Sequence, residues 1–170
     1  SELRQQDGPH MIRARNTILA ILLIYAASST HAWTLDLPLF RIDVPGGWTH
    51  NIEAGSGDEW GDVVTFRHPD EDGHLKIMSY HATAAITEER LRSMINVDAR
   101  VPLDWQHWGD FAGYQYAYEE QGSFYLQWFL VNGNTLLLVT YQGDPTTKGR
   151  VAADLDRMIL SLTINPPSAR

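Results

Sequence analysis

The chain has 170 residues, 44% of them hydrophobic and 20% charged, a balance typical of one globular domain rather than a disordered chain. Its 21 acidic and 13 basic side chains give a formal charge of −8, so we expect no nucleic-acid partner and no binding to anionic membrane surfaces. The absence of cysteine excludes disulfides, thiolate metal sites, a cysteine nucleophile and an N-terminal lipid-modified cysteine.

The start of the chain has the pattern of a secretory leader. In residues 11–32, two arginines precede an uncharged, mostly apolar stretch at 17–27, and small residues then fit the rule for cleavage before Trp33. That stretch of 11 residues is well short of the roughly 20 needed to span a bilayer. We predict a signal peptide, an exported (periplasmic or secreted) protein and no stable membrane insertion after cleavage. An uncleaved anchor and a buried helix are the alternatives.

Strand patterns begin soon after this leader. Residues 40–44 alternate apolar and polar side chains, which predicts a strand that ends at Pro45, with Trp48 as a core anchor. Residues 63–67 and 75–81 predict a hairpin around an acidic turn.

The period then changes to that of a helix and back to that of strands. Thr87 is a good N-cap, and the acidic residues after it suit the start of a helix over about 87–98. Three strands follow, with a weaker one before them: 112–119, 123–131, 135–141 and, more weakly, 103–108.

Two further patterns predict the fold class. The run 136–139 is apolar without alternation, which is typical of a strand buried on both faces. Asp144 and Pro145 begin a helix over about 145–162 whose apolar residues recur every 3–4 positions. We therefore predict an α+β fold of one domain: an antiparallel β-sheet of about six strands with helices on both faces, an α-β-α sandwich.

The predicted domain occupies residues 33–164. Residues 1–10 lack an initiating Met and any apolar period, and we interpret them as added for expression or translated from upstream sequence. Residues 165–170 contain two prolines and no pattern, which predicts a disordered tail.

This order of elements resembles the PsbP-like or DcrB-like superfamily. The residues that carry the resemblance are Phe40, Ile42, Pro45, Trp48, the stretch FLVNGNTLLLVTY at 129–141 and the terminal amphipathic helix. It spans about residues 38–163. The resemblance implies an α-β-α sandwich and an exported, non-enzymatic accessory or assembly protein. Bacterial members are often lipoproteins, whereas this chain has no cysteine to carry the lipid. No catalytic residue is carried over.

Two histidines flank the acidic turn of the predicted hairpin. If His68 pairs with His74 across the hairpin, both imidazoles face one side, and Asp70 or Asp72 could complete a zinc or copper site. The stretch 70–73 also begins like a calcium loop, although the sequence then turns directly into a strand. An ordinary solvated turn is the alternative to both.

An aromatic-rich segment is the predicted place for an organic ligand. Aromatic surfaces bind sugars, peptides or quinone-like rings. The candidate residues are Trp105, His107, Trp108, Tyr114 and Tyr116, with Tyr118 on the same strand face. The alternative is that these rings pack beneath a helix.

No nucleophile elbow, phosphate-binding loop or dinucleotide fingerprint occurs in the sequence, and we expect no cofactor. We therefore expect an exported, soluble, non-enzymatic accessory or assembly protein that acts through protein contacts. A periplasmic small-molecule or metal-binding module is the alternative. A small hydrolase with a site assembled from distant residues is the third hypothesis.

Overall fold

The computed structural model describes residues 31–55, 60–70 and 72–165, so the predicted signal peptide lies outside the described residues except for His31 and Ala32. The elements in chain order are β1 (Trp33–Asp36), β2 (Phe40–Val44), β3 (Thr49–Glu53), β4 (Trp60–Arg67), β5 (His74–His81), α1 (Glu88–Met94), β6 (Gln106–Trp108), β7 (Phe111–Glu120), β8 (Ser123–Asn132), β9 (Thr135–Gly143), α2 (Lys148–Leu160) and β10 (Thr163–Ile164). Within this part of the chain, no helix is long and apolar enough to cross a membrane.

The large sheet has seven antiparallel strands in the order β3-β4-β5-β9-β8-β7-β6. As the unbroken apolar run predicts, β9 lies at its centre, between β5 and β8. The prediction of about six strands omits β3, whose sequence THNIE is exposed at every position. A strand without a buried face has no apolar alternation, so its sequence gives no strand signal.

A separate small sheet has the order β1-β2-β10 and was not predicted. Its middle strand, β2, has Phe40, Ile42 and Val44 buried against the rest of the core, as the alternation predicts. The side chain of Asn165 donates hydrogen bonds to Asp36 and to the carbonyl oxygen of Leu37, so the described body extends to this residue.

Helix α2 packs an apolar stripe on one face of the large sheet. Its buried residues share one core cluster with alternate residues of β5 and β9: Val151, Leu155, Met158 and Ile159 with Leu75, Ile77, Leu137 and Val139. The helix begins at Lys148 rather than near 145. The carboxylate of Asp144 instead accepts from the backbone N–H and the hydroxyl of Thr146, both at 2.7 Å, and so stabilises a turn before the helix.

Helix α1 contributes to a second core cluster. The Thr87 hydroxyl accepts from the backbone N–H of Arg90 at 3.3 Å, which confirms the predicted N-cap. The helix ends at Met94, earlier than predicted, because Ile95 has extended backbone. Its buried Leu91 belongs to this second cluster, with Ile86, Tyr114 and Leu136 among its members.

The two helices belong to different core clusters. Leu136 belongs to the α1 cluster and Leu137 to the α2 cluster, and consecutive strand residues point to opposite faces. The predicted α+β class is confirmed. Helix α1 has 7 residues, whereas α2 has 13, and the small sheet belongs to the α2 cluster as well. The described residues therefore cover much less of the large sheet on the α1 face.

Candidate functional site

Among the described residues, no helix or strand covers the α1 face of the large sheet beyond the end of that helix. Strand register places two rows of half-buried or exposed side chains there: Lys76, Thr140, Gln127 and Tyr116 in one row, and His74, Gln142, Tyr125 and Tyr118 in the next. Positions on the other face of the same strands, such as Ile77, Val139 and Trp128, are buried. Within the described part of the chain, the α1 face is therefore a sheet surface without a covering layer, and its character is mixed aromatic and polar.

Two adjoining depressions form a groove where α1 meets this open surface. They share Asn96 and Phe129, and we name them together the α1 groove. The depression against the helix has a volume of about 580 Å³, and the one farther along β7 has a volume of about 480 Å³. We call them the apolar end and the tyrosine end.

The apolar end is formed by helix α1 and the central strands. Leu91, Ile95, Leu136 and Leu138 line it, together with Phe129. Met94, in the last turn of α1, also lines it with 48% of its surface exposed. Arg90 lies at the same depression, with its guanidinium donating to the carbonyl oxygen of Ala85 at 3.4 Å. The apolar end thus offers a flexible methionine and a cation beside a hydrophobic floor.

The tyrosine end continues along β7 and β8. Tyr116 and Tyr118 stack with ring centroids 5.5 Å apart, and Tyr118 stacks on Tyr125 at 4.8 Å with ring planes 7° apart. Glu120 follows at the next position on the same face of β7, and Glu119 also lines the depression. Burial raises the pKa of the Tyr118 hydroxyl, and the negative charge of Glu120 adds to this shift. Tyr118 therefore stays neutral around neutral pH.

The loop that links α1 to β6 carries Asn96 and Val97 at the groove. The Arg92 guanidinium donates to the carbonyl oxygens of Val97, Asp98 and Val101 at 3.2, 3.0 and 3.1 Å. One side chain therefore holds three backbone acceptors of this loop, through bonds strengthened by the charge of the donor. The sequence pattern did not indicate this role, because arginine on a short helix usually signals a solvated face.

The predicted aromatic cluster is divided between two layers. Trp105 packs edge-on against Tyr114 at 5.2 Å, and the Tyr114 hydroxyl donates to Glu88 of α1 at 3.1 Å. Burial, followed by this bond to Glu88, raises the pKa of Tyr114. Trp108 is buried in the α2 cluster, and His107 is exposed. Of the five predicted residues, Tyr116 lines the α1 groove.

The predicted metal ligands are also placed apart. Strand register pairs His74 with Arg67 rather than with His68. His68 packs edge-on against Trp48 at 5.2 Å and accepts from the backbone N–H of Asp70 at 3.1 Å. Asp72 and His74 line a different depression, of about 310 Å³.

The charge around His74 does not favour a cation. Burial, followed by the positive charges of Arg67 and Lys76, holds the pKa of His74 below its usual value. Among the described residues, no group of three or more His, Cys, Asp or Glu side chains lies close enough together to hold a metal ion.

Comparison with known proteins identifies the fold. No family model and no curated protein matches the chain. A solved protein from Bacteroides thetaiotaomicron matches with a TM-score of 0.57 and 17% identity, over 81% of this chain and 50% of that protein. Cyanobacterial PsbP (CyanoP) from Synechocystis sp. matches with a TM-score of 0.54 and 12% identity, over 82% of this chain and 96% of its own. The fold is PsbP-like.

The PsbP-like resemblance predicted from the sequence is thus confirmed at the level of fold. The chain spans about half the length of the Bacteroides protein and nearly the whole of cyanobacterial PsbP. At identities of 17% and 12%, the likeness establishes the fold alone, because one fold supports many functions.

Proposed function

We propose that this PsbP-like chain is an exported, non-enzymatic accessory or assembly protein that acts through protein contacts, and that the α1 groove is its contact surface. The observation that carries the proposal is the groove itself. It joins an apolar floor and the exposed Met94 to a stack of tyrosines on an uncovered sheet face. Aromatic residues and methionine are enriched at protein interfaces, and contiguous apolar surface on a monomer marks an interaction site.

The incomplete cover of the sheet supports the same conclusion. We propose that the fold is an α-β-α sandwich in which α1 supplies only part of one outer layer. A partner laid in the α1 groove would complete that layer and remove Met94 and the half-buried tyrosines from water. Burial of a side chain such as Met contributes roughly 1.5–3 kcal/mol, so a few such anchors give a specific contact.

Site-specific photo-crosslinking in the producing cells tests this function. A photo-reactive phenylalanine analogue at Met94 should give one dominant adduct with another protein. The same analogue at Glu53, which is exposed on β3 at the opposite edge of the sheet, should not give that adduct. Identical adduct patterns from the two positions, or none from Met94, would contradict a contact surface in the groove.

Export is a second element of the proposal and has its own test. The proposed cleavage before Trp33 would leave β1 intact, because that strand begins at Trp33 and its register pairs this residue with Val44. N-terminal sequencing of the protein from the exported fraction should read Trp-Thr-Leu-Asp. A leader retained on the isolated protein, or recovery from the cytoplasm alone, would overturn this element.

A binding module for small molecules or metals is the second candidate function. The depression of about 580 Å³ falls in the range of small-molecule sites, roughly 300–1,000 Å³. Ligand-observed NMR with phenols, quinones and sugars tests it. Saturable binding at micromolar concentration, abolished by Phe129→Ala, would favour this candidate. The metal version would use Asp72 and His74, and zinc should then raise the melting temperature of the wild type but not of His74→Ala.

A further inference from the structure

We propose that the α1 groove binds a segment of a partner polypeptide in which a bulky apolar side chain lies next to a lysine or arginine. The apolar side chain enters the apolar end, and the basic side chain enters the tyrosine end. This inference rests on the proposed function and names the chemistry of the partner.

The tyrosine end is built to receive a cation. The residues that line it carry hydrogen-bond acceptors of several kinds: the carboxylate of Glu120, the amide oxygens of Asn96 and Gln127, and the hydroxyls of Tyr116 and Tyr118. None of the described residues that line this depression is basic. Lysine and arginine carry several donors and no acceptor, and they also bind favourably beside aromatic rings.

The neighbouring Glu119 does not add its charge to this end. It alternates with the tyrosine stack along β7, and its carboxylate lies 3.6 Å from the Lys148 ammonium of α2 in an exposed ion pair. Glu120 is exposed and lies on the same face of β7 as the tyrosine stack. An incoming cation would therefore pair mainly with the Glu120 carboxylate. Tyr118 lies two residues earlier, on the same face of β7.

The apolar end fixes the second half of the recognised segment. Its walls are mainly hydrocarbon, and Met94 has an unbranched side chain that can adjust to anchors of different shape. The two ends share Asn96 and Phe129, so neighbouring side chains of one extended segment reach both. Small amines or inorganic cations would fill the tyrosine end alone, and this apolar floor is the reason for naming a polypeptide.

Long-range charge favours the same partner. The chain carries a formal charge of −8, which attracts basic segments and repels acidic ones over distances of about a Debye length, roughly 8 Å at physiological salt. Arg90 at the apolar end is a local exception, and it would favour an acidic or polar residue on the far side of the apolar anchor.

Selection from a random peptide library displayed on phage, with the full chain as bait, tests the proposal without assuming a sequence. We expect enriched peptides to contain an aromatic or long aliphatic residue within two positions of a lysine or arginine. For the enriched peptide made synthetically, Glu120→Gln should weaken binding about three- to tenfold and reduce its salt dependence. Met94→Asp should weaken it at least tenfold.

Controls separate this inference from the proposed function. Glu53→Gln removes another exposed carboxylate, on β3, and should leave binding unchanged, and thermal unfolding should show that all three variants fold. Four results would overturn the inference: peptides with apolar anchors but no basic residue, peptides with an acidic residue in place of the basic one, spermidine binding as tightly as the peptide, or a library with no enriched peptide. If the enriched peptides are apolar and their binding still depends on Met94, the proposal that the groove is a contact surface stands. If no peptide is enriched, the crosslinks from Met94 would decide the proposed function separately.

Discussion

Gly109 and Gly133 have the same left-handed backbone, with φ at +57°, but different surroundings. A Cβ at Gly109 would lie 2.0 Å from the carbonyl oxygen of Leu162, whereas a Cβ at Gly133 would meet nothing within 4 Å. The backbone N–H of the neighbouring Asp110 donates to the same Leu162 oxygen at 2.9 Å. This hydrogen bond links the β6–β7 turn to the C-terminal segment.

Alanine substitutions at these two glycines separate the cost of backbone strain from the cost of steric contact with Leu162. Gly133→Ala should lower the free energy of unfolding by about 1–2 kcal/mol, the strain of a left-handed alanine. Gly109→Ala should lower it by about 2–5 kcal/mol, because the tight approach to Leu162 adds to that strain. Urea unfolding of both variants checks this difference. Equal losses would show that the approach to Leu162 relaxes without penalty.

His74 makes stability depend on pH in a defined direction. Burial, Arg67 and Lys76 hold its pKa in the folded protein below the ordinary value of 6.5, so the unfolded chain takes up the proton first. The stability that His74 contributes is therefore fully present above about pH 6.5 and is lost as the pH falls through the lower folded value.

We expect the wild type to lose more stability than His74→Gln between about pH 7.5 and about pH 5, as measured by urea midpoints. His107→Gln is the matched control, because His107 is exposed, and its curve should follow that of the wild type. Parallel curves for the wild type and His74→Gln would show that the burial of this imidazole has no influence on folding.

The helices and strands differ in how strongly their sequence patterns predict them. The apolar alternation of β2, the continuous run in β9 and the 3–4 spacing in α2 predict these elements correctly, because each has a face in the core. In contrast, β3 is exposed on all five positions, and β10 has two residues. Their existence depends on pairing with β4 and β2, which no local pattern encodes.

The α1 groove was likewise beyond the reach of sequence patterns. Tyr116 and Tyr118 show the strand period, and they were expected to share a face. Met94, Asn96 and Phe129, however, come from the end of a helix, a loop and a strand that tertiary packing brings together. The predicted aromatic site combined residues that do not share one face of the sheet. Trp108 directly precedes the turn at Gly109, where the chain reverses, and the Trp108 ring is buried in the α2 cluster.

The Arg92 side chain ties the loop between α1 and β6 to the helix through three hydrogen bonds. Arg92→Ala should remove three hydrogen bonds to the carbonyl oxygens of residues 97, 98 and 101, and hydrogen exchange across residues 95–101 should accelerate about tenfold or more. Arg92→Lys should behave in nearly the same way, since an ammonium cannot present the planar fork of a guanidinium.

Arg100→Ala is the control within the same loop. Its guanidinium bonds to the exposed Asp98 carboxylate, and exposed pairs contribute little. Exchange in this variant should match the wild type. If Arg92→Ala leaves exchange unchanged while Arg100→Ala accelerates it, the loop is held by the exposed pair and not by Arg92.

The small sheet, α2 and one face of the large sheet share a single core cluster. Phe40 and Ile42 of the small sheet, Leu155 and Met158 of α2, and Leu137 of the large sheet belong to the same cluster. The indole N–H of Trp48, just after β2, donates to Asp154 of α2 at 3.0 Å and adds a polar tie within this layer. Separating any one layer would expose the other two, so the described body should unfold in one cooperative transition.

Shortening single leucine side chains on α2 tests that cooperativity. Leu155 is 2% exposed and Leu160 is 58% exposed on the same helix, so Leu155→Ala and Leu160→Ala make an identical chemical change inside and outside the core. Leu155→Ala should lower the free energy of unfolding by about 2–5 kcal/mol, whereas Leu160→Ala should change it by less than about 0.5 kcal/mol. In Leu155→Ala, tryptophan fluorescence and far-ultraviolet circular dichroism should still report the same midpoint, because the small sheet cannot keep its buried face without α2. Two separate midpoints would show that the sheets fold as independent units.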